Sequence, residues 1–66
     1  MQLIVNGKKV EAADGITISQ LVAEKGLNSE SVVVEHNSVI LCRADWGTKM
    51  LGQGDQVEIV TFVGGG

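Results

Sequence analysis

The stretch "TISQLVAEKGL", residues 17–27, is the part of the chain whose reading decides the fold. Thr17 is a residue that caps helices, and Gln20 stands three places later. That spacing is a capping box, in which each side chain satisfies the other residue's backbone N–H. Ile18, Leu21 and Val22 recur at i, i+3 and i+4, so they form one apolar stripe. Gly26 suits the left-handed position after the last turn, with Leu27 folding back over it as a Schellman stop. The spacing predicts one short amphipathic helix over roughly residues 18–25. A helix of that length is marginal in water by itself, so it needs a sheet to pack on.

Strands are legible on both sides of it. "MQLIV" is a strand-forming run, Asn6-Gly7 suits a type I′ turn, and "KKVEA" returns with Val10 as its apolar anchor. Asp14-Gly15 marks the turn before the helix. After the helix, "SVVVEHNSVIL" contains two short apolar runs around a turn at "HNS". "CRADWGTKM" has mixed character and reads as irregular or 3₁₀. "GQGD" (52–55) is a tight turn, and "QVEIVTFV" is the strongest strand of all. The order is therefore strand, strand, helix, strand, strand, strand. One helix covers one face of a sheet only, which gives an α+β layer. Hairpins on either side of a single helix suit a β-grasp: a mixed sheet of four to five strands, with the first and last strands parallel in its middle. A split ferredoxin-like layer would need a second helix. The expected organisation is one domain over 1–63 followed by a flexible glycine tail over 64–66.

Composition narrows the function classes. Sixty-six residues allow one domain, and a 44% apolar share is that of a folded chain. Trp46 and Phe62 are the only aromatics, so the core must be aliphatic. The single cysteine, Cys42, excludes an internal disulfide and suggests a reducing compartment, the cytoplasm or an organelle stroma. No apolar run approaches the ~20 residues of a membrane span, and the first residues lack a signal-peptide pattern. A net charge of −3 with scattered basic residues disfavours nucleic acid as a partner. No nucleophile–base pair can be assembled, so no catalytic residue is expected. His36 is expected as a solvated turn residue. One His and one Cys are too few for a zinc site, and no metal is expected. Cys42 is expected to pack as a small hydrophobe, and Trp46 as a lid over the core edge.

The last strand and the glycines after it are more informative. Alternation places Val57 and Ile59 on one face and Glu58, Val60 and Phe62 on the other. If Val57 and Ile59 join Leu3 and Val5 under the helix, Ile4, Val60 and Phe62 form an apolar docking surface on the open face. Gly64, Gly65 and Gly66 have no Cβ and can enter a slot too narrow for a side chain. Extended, they reach about 10 Å. Ordering them costs on the order of 3–6 kcal/mol. Burying roughly 200 Å² of apolar surface at ~25 cal/mol/Å² offsets that, and a patch of Ile4, Val60 and Phe62 is about that size. At the tip stands a carboxylate, a poor electrophile until its charge is removed. An acyl-adenylate made from ATP by another enzyme is the simplest route. A sulfur nucleophile then yields a thiocarboxylate, and an amine yields an amide.

In these features together the chain resembles the sulfur carrier proteins of thiamine biosynthesis, small ubiquitin-like β-grasp proteins. The matching pieces are "IVNGK", "TISQLVAEKGL", "VVVEHN", "RADW" and "GDQVEIVTFVGGG". The resemblance implies that an adenylating enzyme related to ubiquitin-activating enzymes activates Gly66 with ATP. Sulfur from a cysteine desulfurase then makes the thiocarboxylate, and thiazole synthase takes the sulfur. Gly66 would carry the sulfur, while Gly64 and Gly65 thread the partner sites. The chain would be a co-substrate, with no cofactor of its own. It departs from the usual pattern in Asn37-Ser38, where Asn-Gly is frequent, and in Cys42, where a proline commonly precedes the arginine. A carrier for another pathway (molybdopterin or cysteine), a protein modifier joined through Gly66, and a plain binding module remain as alternatives.

Overall fold

The helix forms as its sequence spells it. Thr17 Oγ1 accepts from the Gln20 N–H at 3.2 Å, and Gln20 Oε1 accepts from the Thr17 N–H at 2.9 Å. Helix α1 then runs Ile18–Glu24 with Ile18, Leu21 and Val22 buried. It stops at Gly26, whose φ of 69° most residues bearing a β-carbon adopt only at a cost. Gly26 N–H donates to Ala23 O at 3.0 Å and Leu27 N–H to Val22 O at 3.3 Å, the two bonds of a Schellman stop.

The computed structural model describes residues 1–62 and sets this helix on one face of a mixed sheet. Its strands are β1 (Gln2–Val5), β2 (Lys8–Glu11), β3 (Val32–His36), β4 (Val39–Ile40) and β5 (Gln56–Thr61). The described residues form a five-stranded sheet in the order β2-β1-β5-β3-β4. β1 and β2 make the expected hairpin around Asn6 and Gly7, with φ of 51° and 81°. β1 and β5 lie parallel at the centre, Ile4 opposite Gln56 and Val5 opposite Val57. β5 pairs antiparallel with β3 over five residue pairs, from Val32–Thr61 to His36–Val57. The arrangement is the β-grasp that the element order suggested. The 1–63 boundary and the 64–66 tail lie outside the described residues.

The core is aliphatic, as the composition required. Leu3 and Val5 of β1, Val32 and Val34 of β3, and Val57 and Ile59 of β5 face the stripe of α1. Trp46 closes one edge, with its Nε1–H donating to Leu41 O at 3.2 Å. The segment around it is regular neither as helix nor as strand: a 3₁₀ turn over Arg43–Asp45, then a strap across the start of α1. Leu51 N–H donates to Ile16 O at 2.9 Å, and Ile18 N–H to Lys49 O at 3.2 Å. A second 3₁₀ turn, Ser29–Ser31, is not foreshadowed by any pattern in the sequence. Asn28 starts it by accepting from Glu30 N–H at 2.9 Å.

Asn6 has two roles. It takes the left-handed backbone of the hairpin turn, and its side chain carries on the parallel ladder. β1 leaves the sheet after Val5, so the Ile59 N–H on β5 would face no carbonyl. Asn6 Oδ1 accepts it at 2.7 Å. An unsatisfied buried donor costs about 1–3 kcal/mol. Asn6→Gly keeps the turn and removes the acceptor, so it should lower stability by about 1–2 kcal/mol. Asn6→Asp keeps an acceptor and should lose less. Urea unfolding of both variants measures this, and equal midpoints for wild type and Asn6→Gly would show that the side chain contributes nothing.

Candidate functional site

The expected docking residues are placed by the register of β5. Val57 and Ile59 are buried under α1, which turns Glu58, Val60 and Phe62 to the uncovered face. Val60 is 59% exposed and Phe62 44%, so neither belongs to the core. Val33 of β3 lies directly opposite Val60 and is itself 40% exposed. Phe62 N–H donates to Ser31 O at 2.9 Å, extending the ladder one residue past the strand. Val33, Val60 and Phe62 thus form one apolar strip beside the point where the chain leaves the described residues. Ile40, exposed on β4, lies diagonally across from Val33 on the same face.

Ile4 does not join that strip. Its partner on β5 is Gln56, four residues before Val60, or about 13 Å along a strand. Glu58 stands between them on the same face. Alternation alone gave the right face for Ile4, but the parallel register put it near the opposite end of the sheet. Val33 was missed, although the alternation of "VVV" between two core valines points it outward. Ile40 carried no such signal, because its face depends on the length of the preceding turn. Gly64, Gly65 and Gly66 lie outside the described residues.

Two other side chains differ from expectation. Cys42 is exposed, at the start of the 3₁₀ turn, and does not pack as a core hydrophobe. The chain turns away from the core before Trp46 takes the buried place. His36 is not in the turn: it is the last residue of β3, opposite Val57, with its side chain 11% exposed. The turn is the pair Asn37-Ser38, both at positive φ. Among the described residues no group of three His, Cys, Asp or Glu is placed to hold a metal, and no helix is long and apolar enough to cross a membrane.

His36 belongs to a polar network that anchors the start of β5. Asp55 Oδ2 is 2.7 Å from His36 Nε2 and accepts from the Gly52 N–H at 2.8 Å. Asp55 Oδ1 accepts from Asn37 Nδ2 at 3.3 Å, and Asn37 Oδ1 accepts from the Gln56 N–H at 2.8 Å. Burial pushes the Asp55 carboxyl up, but the bonds from His36, Gly52 and Asn37, with the His36 charge, outweigh it. The carboxyl is held below its ordinary value. "GQGD" is therefore a turn fastened by its own aspartate, and no helix follows it.

A one-helix β-grasp with an apolar strip next to its C-terminal exit defines the ubiquitin-like class. A family model described as the ThiS family matches residues 2–66. The sulfur carrier protein ThiS of Bacillus subtilis is 40% identical over 65 residues, covering 97% of this chain and 98% of that one. The crystal structure of the thiamine biosynthesis protein ThiS from Geobacter metallireducens superposes with a TM-score of 0.82 at 38% identity, covering both chains completely. A thiazole synthase of Paramagnetospirillum magneticum is 35% identical over all 66 residues, which span 20% of that protein's length. The chain belongs to the ThiS family, a sulfur-carrier family of thiamine biosynthesis.

The Asp55 network has a testable pH signature. A carboxyl held below its unfolded-state value of about 3.9 stabilises the fold above that value and ceases to as pH falls through the lower folded-state value. Asp55→Asn should therefore cost about 1–2 kcal/mol at pH 7. The gap to wild type should narrow as pH drops from about 5 towards 3. A gap of constant size across that range in urea titrations would mean that the charge contributes nothing.

Proposed function

We propose that the chain carries sulfur for thiamine biosynthesis on the terminal carboxylate of Gly66. The observation that carries this reading is the extent of the family match, which runs through residue 66 and so includes the glycine tail. A Gly66 carboxylate oxygen attacks the α-phosphorus of ATP in a partner adenylating enzyme related to ubiquitin-activating enzymes, and pyrophosphate leaves. A sulfur nucleophile, supplied from a cysteine desulfurase, attacks the acyl carbon. AMP leaves, and where the nucleophile is a persulfide a second thiol cleaves the S–S bond of the acyl disulfide, so that a new disulfide forms and the sulfur stays on the carbonyl as a thiocarboxylate. Thiazole synthase is the proposed acceptor, a reading supported by relatives of that name that contain a region like this chain. The chain is then consumed and regenerated as a co-substrate, and ATP binds to the partner. The single cysteine suits the reducing cytoplasm or an organelle stroma for this chemistry.

Recognition divides between two parts. Gly64 and Gly65 thread the narrow approach to the partner's reaction centre and contribute little affinity. Val60 and Phe62, with Val33 beside them, supply the apolar docking area. Ile4 contributes, if at all, from a separate point nearer the other end of the sheet.

The intact mass of protein isolated from its host tests the reading. An increment equal to sulfur in place of one oxygen supports the carrier, and a ladder of conjugates supports a modifier. Deleting Gly66 should abolish adenylation with the unfolding midpoint unchanged, and an undiminished rate of AMP formation would overturn the reading. Phe62→Asp should weaken partner binding roughly tenfold or more, as loss of a central apolar anchor does. Its stability cost should be under about 1 kcal/mol, because the side chain is already 44% exposed. A loss confined to stability would return Phe62 to the core.

A further inference from the structure

We propose that Asn28 and the 3₁₀ turn it starts end the β3–β5 ladder at Phe62, so that the domain offers Gly64 and Gly65 no strand to pair with. This rests on the carrier reading, in which those glycines must enter a partner, and it makes Asn28 a positioning residue for the activation of Gly66.

The register shows what the turn prevents. β1 pairs with β5 at Gln56 and Val57, and Asn6 Oδ1 takes the Ile59 N–H. Beyond Ile59, among the described residues, the ladder of β5 continues with β3, as far as Val32 opposite Thr61. Were the chain before Val32 extended, the same register would set Ser31 against Phe62, Glu30 against Val63, Ser29 against Gly64 and Asn28 against Gly65. Pairing of this kind is made by backbone groups, so glycines without side chains can join it.

The structure breaks that template off. Ser31 and Phe62 stand where an antiparallel ladder exchanges both of its bonds. Phe62 N–H donates to Ser31 O at 2.9 Å, but Ser31 N–H turns away and donates to Asn28 O at 3.0 Å. Glu30 N–H donates to Asn28 Oδ1 at 2.9 Å. Together the two bonds to Asn28 curl Ser29–Ser31 into the turn and take Ser29 out of the line of β3. Leu27 N–H is committed to Val22 O at the stop of α1, so the turn fills the interval between helix and strand. A tail paired with its own domain would have to be peeled off before it reached an enzyme. Apparent affinity falls with the fraction of molecules that are competent to bind.

The test uses the full chain and the purified adenylating enzyme of the same organism. Asn28→Val combined with Ser29→Val removes the capping oxygen and favours extended backbone, with no change of charge. In that double variant the Gly64 amide should exchange with solvent about threefold more slowly, and KM for the carrier in ATP–pyrophosphate exchange should rise by the same factor with kcat unchanged. Asn28→Ala, which removes the cap alone, should move both readouts the same way by less. Ser29→Pro fits the first position of the turn, and Asn28, with ψ of 115°, already has the extended backbone that a following proline requires. A proline has no N–H for a ladder, so both readouts should keep their wild-type values. General loosening of the fold would speed exchange at Gly64, not slow it. Wild-type exchange at Gly64 in the double variant would overturn the proposal while leaving the carrier reading standing. A KM that rises without slower exchange would overturn it too, by making the turn a docking contact. If the enzyme fails to adenylate the wild-type chain, the carrier reading falls, and the Gly64 exchange rates still decide whether the turn ends the ladder.

Discussion

The parallel pairing of β1 with β5 is the constraint on which the rest of the molecule depends. It joins residues far apart in the chain, and Ile4 N–H to Asp55 O and Asn6 N–H to Val57 O, both at 2.9 Å, are its rungs. Gly54 N–H to Gln2 O at 2.7 Å extends it at one end, and the Asn6 carboxamide extends it at the other. Closing so long a loop has an entropic cost that no local propensity offsets. Burial offsets it: Leu3 and Val57, on the paired strands, have no exposed surface. On one side β1 pairs with Gln56 and Val57 and the Asn6 carboxamide takes the Ile59 N–H, while on the other side β3 pairs the strand as far as Thr61.

The consequence reaches the function through geometry. β5 is pinned at its start by the Asp55 network and β1, and along its length by β3. Phe62, whose N–H donates to Ser31 O at 2.9 Å, is therefore held at the end of that strand. Glycines have no side chain to bury and supply little apolar binding area. A carrier that acts through a bare terminus must take its binding energy from the surface next to that terminus. Under the proposed function the uncovered face of the sheet would be such a surface, and it exists because one helix is too little to cover both faces.

The same face shows how stability and recognition are kept apart. Apolar residues under α1 are buried almost without remainder. Those opposite stay substantially exposed, and two carboxylates are set side by side among them. His36 shows the reverse allocation. The one imidazole is engaged with Asp55 in holding turns together, at the end of β5 away from Phe62.

Local rules in the sequence determined the capping box at Thr17 and Gln20, the stop at Gly26, the Asn6-Gly7 turn and the alternation of β5. Each is decided by contacts within a few residues, which a string of letters displays in full. The element order, read with the single helix, determined the β-grasp, and the resemblance of the last residues pointed to the family. Only the tertiary structure decided register: that Ile4 stands opposite Gln56 and not beside Val60, that Val33 completes the apolar strip, and that Glu35 meets Glu58. It also placed His36 inside a strand and left Cys42 outside the core. Parity tells which side of a sheet a residue faces, but a strand can slide past its neighbour by two residues without changing that parity. The register is set by hydrogen bonds such as those to Asn6 and Asp55, made between residues far apart in the chain.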